Sequence, residues 1–312
     1  MAIETVVPTL RWNYKAVMFS YRVHKSPRYF EWKSHPERSV IVAGVGRSGT
    51  TWLGDVVSHM INARVVFEPC ITDNNGNFLI DRTGEIKLDK RYERPLFLWN
   101  IVNFEKKKLA IKHMLFGNIK GNWLDQNVRA GIYSRRVIKV IRANLFVGHI
   151  ARSWPEVKIL YIVRSPDKVV ESMLNQENNG WKFDWDSDDI LSLSESCTEW
   201  ADLIDTFDWN REDIIDRLAL RWCVEMKVAL KQLQNVENCM VLQYESLVLG
   251  EGWDELKLFI KDRGRLKSPP KRVVQQSSKT GSVRANKVFL TSLQTARIHQ
   301  MVEAFELSRW IV

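Results

Sequence analysis

A chain of 312 residues with 45% hydrophobic and 27% charged residues has the composition of a soluble globular protein, and no window approaches the roughly 20-residue apolar span that a membrane helix needs. The formal net charge of +9 points to an acidic partner, such as a nucleotide, nucleic acid, anionic glycan or membrane surface, although cations spread over solvated faces would give the same total. Cys70, Cys197, Cys223 and Cys239 form neither a CxxC nor a short-loop pair, which excludes a disulfide framework and a zinc site of the usual spacing.

Residues 1–38 are basic and aromatic, with Arg11, Trp12, Tyr14, Lys15, Tyr21, Arg22, Arg28, Tyr29 and Trp32. They read as an arm laid over the domain that follows. An aromatic, basic arm suits nucleic acid, but no known nucleic-acid module follows it, so no nucleic-acid partner is expected. The stretch has no apolar block of a signal peptide and starts with its own methionine; with the scattered thiols this predicts a cytoplasmic protein.

Ser39 to Ala43 is a short β-branched run, the pattern of a strand buried on both faces. Gly44, Gly46 and Gly49 then mark a tight loop, and Thr50 to Met60 can form a helix. A glycine loop opening a helix presents backbone N–H groups and a partial positive charge, a setting that favours phosphate over an ordinary turn. Arg47, Ser48, Thr50 and Thr51 add a cation and three hydroxyls. The Walker A pattern fails, because Thr50 stands at its lysine position and nothing in the loop would reach a γ-phosphate. The dinucleotide pattern G-x-G-x-x-G is matched from Gly44 to Gly49, and Glu68, at the end of a second apolar run Val65 to Phe67, lies near the distance of a ribose-binding acid. An NAD(P)-dependent oxidoreductase is therefore an open alternative. Against it, Trp52 in the first helical turn offers a surface for a flat base.

Residues 73–94 are polar with turn signals and predict a long excursion, a lid or an acceptor-binding loop. Lys108 to Leu115 is expected to be a strand carrying Lys112 and His113, and Trp123 to Ala130 a helix. Val137 to Ile141 reads as a strand interrupted by Lys139 and ending in Arg142; a lysine there is either in water on an edge strand or buried beside an anion. Lys158 to Val163 predicts a central strand with Arg164 at its carboxyl end, and Pro166 opens a helix on which Ser172 can return to the strand end. Residues 184–213 form an acidic insertion. Ile215, Leu218, Trp222, Met226, Ala229 and Leu233 space an amphipathic helix over 212–235. Cys239 to Gln243 is a further strand followed by Tyr244-Glu245-Ser246-Leu247; residues 267–287 are basic, and 291–307 predict a last helix.

Three of these stretches resemble the family of sulfotransferases that use 3′-phosphoadenosine-5′-phosphosulfate, PAPS. GRSGTTWL is similar to its 5′-phosphosulfate loop, KILYIVRSPDKVVESML to its 3′-phosphate motif in strand, arginine, proline and serine alike, and the Tyr244–Leu247 element to one that lies near the adenine. The resemblance spans roughly Ser39 to Asn286 and implies a single α/β domain over 39–312, with a central parallel sheet flanked by helices, P-loop-like but without the Walker lysine. It implies transfer of a sulfuryl group from PAPS to a hydroxyl or amine, without a metal. On this reading Arg47, Ser48, Gly49, Thr50 and Thr51 hold the 5′-phosphosulfate, and Trp52 and Tyr244 flank the adenine. Arg164 and Ser172 hold the 3′-phosphate, and Lys279 and Arg284 close over it. Lys139 faces the sulfuryl group. Cytosolic members of the family place a histidine shortly after that lysine, where this chain has Ile141, whereas several carbohydrate-acting members use a glutamate in a context like Phe67-Glu68-Pro69. Glu68 is accordingly the candidate base and a carbohydrate or glycoconjugate the candidate acceptor; the plainer role for Glu68 is to cap or to pair with a nearby arginine. His113 is the next candidate.

Overall fold

The computed structural model describes residues 29–31, 35–70, 104–121, 123–177, 202, 204–261, 266–268 and 288–312. Five strands, β2 (Ser39–Ala43), β3 (Ala63–Phe67), β5 (Arg135–Val140), β6 (Lys158–Val163) and β7 (Cys239–Gln243), form one parallel sheet in the order β3-β5-β2-β6-β7. Two short strands, β1 (Tyr29–Glu31) and β4 (Gly131–Tyr133), pair in parallel beside it. The helices are α1 (Thr50–Ile61), α2 (Phe104–Leu115), α3 (Val147–Ser153), α4 (Pro166–Glu177), α5 (Ile214–Gln232), α6 (Tyr244–Leu249), α7 (Trp253–Ile260) and α8 (Ser292–Ala304).

Both faces of the sheet's centre are covered, which is why β2 and β6 read as nearly unbroken apolar runs. Ile41, Ala43, Ile138, Val140, Ile159 and Tyr161 point to one face, where α2, α3, α4, α5 and α8 bury them. Val40, Val42, Val137, Leu160 and Ile162 point to the other, against α1, Leu247 of α6 and α7. By this alternation Lys139 sits on the α1 face, where an apolar residue would be the default, and it is 5% exposed. Its strand is internal, between β3 and β2, so Lys139 is not an edge residue in water.

The amino-terminal edge of the sheet is tied by an ion cluster. Arg64 of β3 donates to Asp125 (2.6 Å) and Glu31 (2.5 Å), and Arg136 of β5 donates to Glu31 (2.6 Å) and to the Leu115 carbonyl (2.6 Å). Both arginines are fully buried. The Tyr29 hydroxyl donates to the second Asp125 oxygen at 3.0 Å, and Ser39 Oγ donates to the same Leu115 carbonyl at 2.6 Å. Each buried charge is thus paired and hydrogen-bonded, the condition under which burial is tolerated.

Two expected elements differ. Residues 108–115 lie in helix α2 rather than in a strand: Ile111, Met114 and Leu115 are the buried positions, a helical spacing, while Leu109 is exposed. Residues 123–130 form no helix, with turns over 123–127, where Asp125 is drawn into the arginine cluster and Trp123 Nε1 donates to the Glu68 carbonyl at 3.3 Å. The helices expected over 212–235 and 291–307 are present as α5 and α8, the latter with a capping box between Thr291 and Gln294. Cys70, Cys223 and Cys239 are in no disulfide, and burial pushes the Cys239 thiol up to about 12. No helix among the described residues is long and apolar enough to cross a membrane. The excursion 73–94, most of the acidic stretch 184–213, and Lys279 and Arg284 lie outside the described residues.

Candidate active site

The loop from Gly44 to Gly49 leaves the carboxyl end of β2 and turns straight into α1. Glycine is required at two points. A Cβ on Gly44 would lie 2.3 Å from the Ile162 carbonyl of β6, and one on Gly49, at φ +97°, would lie 2.5 Å from the Tyr244 ring. Between them Arg47 holds φ 74°, a conformation that costs a non-glycine residue energy. Helix α1 has no acidic residue in its first turn and no side-chain cap, so its positive amino terminus is not neutralised locally. Ser48 is fully buried, and its Oγ has no hydrogen-bond partner within the protein. A phosphate group at the helix terminus fits that hydroxyl and that dipole together.

Arg164 and Ser172 meet this loop from β6 and α4. Arg47 Nε donates to Ser172 Oγ at 3.0 Å, and Arg164 donates to the Arg47 carbonyl at 3.3 Å. The Arg164 guanidinium stacks 4.7 Å from the centroid of the Tyr244 ring, while its Nε is buried with no hydrogen-bond partner in the protein. Dense surroundings, with the Arg164 charge second, lower the Arg47 pKa, although the residue lies at the surface. Two guanidiniums held together in this way gain from a bound anion. Trp52, half-buried, meets Tyr244 edge-on at 5.4 Å and Trp253 at 5.9 Å. The expected loop residues Arg47, Ser48, Gly49, Thr50, Thr51 and Trp52 thus share one sheet edge with Arg164, Ser172 and Tyr244. The expectation assigns Arg47 to the loop's phosphate alone; in the structure its side chain reaches across to Ser172.

Glu68 and Lys139 occupy the carboxyl ends of β3 and β5. Glu68 follows β3 in the left-handed region, at φ 46°, with its N–H donating to the Lys139 carbonyl at 2.9 Å. Its side chain is 2% exposed. Lys139 Nζ lies 2.5 Å from Oε1 and 4.4 Å from the Phe67 ring centroid. Oε2 accepts from the Ile141 N–H and from Arg142, each at 3.2 Å. The anion that a buried Lys139 requires is therefore Glu68, and Glu68 does pair with an arginine. Arg142 is the participant the sequence reading left out of the site; its position just past the strand end, two residues after Gly-free β5 closes, was the available signal. His113 belongs to the other end of the sheet: it lies two residues before Leu115, whose carbonyl is bound at the start of β2 and β5.

The strand order removes the dinucleotide alternative. In that fold the strand after the glycine loop's helix pairs directly with the first strand. Here β5 lies between β2 and β3, and Glu68 is held by two cations. Among the described residues no group of acidic, cysteine or histidine side chains could hold a metal.

A sequence model described as "Sulfotransferase family" matches residues 39–251. No curated protein matches the chain at a significant level. Among solved structures, the mouse sulfotransferase SULT7A1 complexed with PAP is 13% identical, with 90% of this chain and 88% of that one covered and a TM-score of 0.39. Sulfotransferase STF9 from Mycobacterium avium is 12% identical over 88% of this chain and 78% of its own, with a TM-score of 0.42. These likenesses are distant, and family membership rests on the match over 39–251.

Proposed function

The chain belongs to the sulfotransferase family, and from that premise we propose that it transfers a sulfuryl group from PAPS to a hydroxyl or amine of a carbohydrate or glycoconjugate. The observation that carries the proposal is the meeting of two anion-ready sites at one sheet edge: the α1 terminus with the unsatisfied Ser48 hydroxyl, and Arg164 with Ser172. A nucleotide bearing phosphates at both its 5′ and 3′ positions suits that pair.

When bound, PAPS supplies an activated sulfuryl group on a phosphate that departs as an anion. Ser48 and the α1 terminus hold that 5′-phosphate, Arg164 and Ser172 the 3′-phosphate, and Trp52 and Tyr244 form the aromatic wall for adenine. Lys139 places a cation where negative charge develops on the departing phosphate, and Glu68 takes the acceptor's proton at Oε1. Sulfuryl transfer, like phosphoryl transfer, asks for positioning and charge stabilisation more than covalent help. A strand-end carboxylate, with Ile141 where cytosolic members carry a histidine, supports the sugar acceptor.

The test is transfer of label from sulfur-labelled PAPS to a panel of mono- and oligosaccharides, amino sugars, phenols and steroid alcohols. Labelled sugar or amino sugar is the expected product. Label confined to phenols or steroids would overturn the acceptor class, and no labelled product with any acceptor would overturn the activity.

A further inference from the structure

The two oxygens of Glu68 have separate partners, and this division bears on how Lys139 becomes available. Oε1 faces Lys139 Nζ at 2.5 Å and has no partner of hydrogen-bond geometry, whereas Oε2 is fixed by the Ile141 N–H and Arg142. In this arrangement Lys139 is committed to Glu68. If it is to serve the departing phosphate it must give up that contact, and a buried carboxylate left with no cation at all would resist the exchange. The Arg142 side chain, 21% exposed, stays on Oε2 and offsets the charge that Lys139 leaves behind.

We propose that Arg142 is a positioning residue: it retains Glu68 through Oε2, so that Lys139 can exchange its ion pair with Oε1 for the nucleotide's 5′-phosphate while the carboxylate stays in place. The inference rests on the sulfotransferase reading above. It assigns Arg142 no contact with the nucleotide. Its effect on nucleotide affinity must therefore pass through Glu68, and a double-mutant cycle isolates that dependence.

The cycle is read by calorimetric titration of adenosine 3′,5′-bisphosphate into the wild-type protein, Arg142→Ala, Arg142→Lys, Glu68→Gln and the Arg142→Ala/Glu68→Gln double variant, with circular dichroism to confirm that each is folded. Arg142→Ala in the wild-type background should weaken binding about 10-fold, the lower range for a lost charge-assisted hydrogen bond. Arg142→Lys should restore it to within about threefold, because the cation is kept near Oε2. In the Glu68→Gln background, where no carboxylate is left to strand, Arg142→Ala should change affinity by no more than about twofold. An equal loss in both backgrounds would overturn the inference, since Arg142 would then act on the nucleotide directly or through its long-range charge. No loss in either background would overturn it as well. Failure of the wild-type protein to bind the bisphosphate would instead overturn the functional reading, and this inference with it.

Discussion

On the function proposed above, Arg164 is the residue expected to set the preference for a 3′-phosphate. It reaches the loop backbone through the Arg47 carbonyl, stacks on Tyr244 and keeps Nε without a partner in the protein. Arg164→Ala should cost the bisphosphate roughly 10- to 150-fold in affinity, the range of one lost charge-assisted hydrogen bond, and leave adenosine 5′-monophosphate nearly unaffected. Parallel titrations of both nucleotides check this. Trp52 meets Tyr244 and Trp253 edge-on, so Trp52→Ala removes part of an aromatic wall as well as a stacking surface. Weakening of about 1–3 kcal/mol is expected, and unchanged affinity would make Trp52 a packing residue only. Glu68→Gln keeps the side chain's shape but cannot take a proton, and single-turnover rates with PAPS should fall by roughly 10²–10⁴. Near-normal turnover would remove Glu68 as the base. His113, at the far end of the sheet, would not replace it.

At the scale of elements, the buried arginine cluster joins β3, β5 and the turn at Asp125 to Glu31 of β1. Asp125→Ala leaves Arg64 short of its partner in a fully buried site, and a loss of roughly 3–5 kcal/mol in denaturant unfolding is expected. A loss below about 1 kcal/mol would show that water or rearrangement replaces the carboxylate. Helix α4, which carries Ser172, is secured at its start by Asp167, whose carboxylate accepts from the Ser165 hydroxyl at 2.5 Å and pairs with Lys168. Burial alone would raise the Asp167 pKa, but the Ser165 and Lys168 contacts outweigh it and the value is lowered. A lowered folded pKa gives stability that is present above the unfolded carboxylate value and lost as pH falls through the folded one. The wild-type advantage over Asp167→Asn in urea midpoint should therefore be full at neutral pH and shrink through the acid carboxylate range. A constant advantage across that range would mean that Asp167 acts through shape alone.

At the scale of the molecule, what was legible in the sequence follows the physics of each segment. Strands buried on both faces declare themselves as β-branched runs, so β2 and β6 and the glycine loop were readable with little loss. Lys139 was readable as an anomaly because a charge in such a run needs a partner. Which partner it takes was not readable, since Glu68 meets it only once β3 and β5 are neighbours, and no local spacing encodes strand order. The cluster of Arg64, Arg136, Glu31 and Asp125 was invisible for the same reason. The strand order that hid these contacts also decides between the two glycine-loop readings, by placing β5 between β2 and β3. The central claim is that the sheet's carboxyl edge binds one nucleotide through two separate phosphates. Its most direct test is titration of the wild-type protein with adenosine 3′,5′-bisphosphate, adenosine 5′-monophosphate and NAD under identical salt. The account predicts that the bisphosphate binds at least about 10-fold more tightly than the monophosphate and that NAD binds no better than the monophosphate. Equal affinity for bisphosphate and monophosphate, or a preference for NAD, would contradict it.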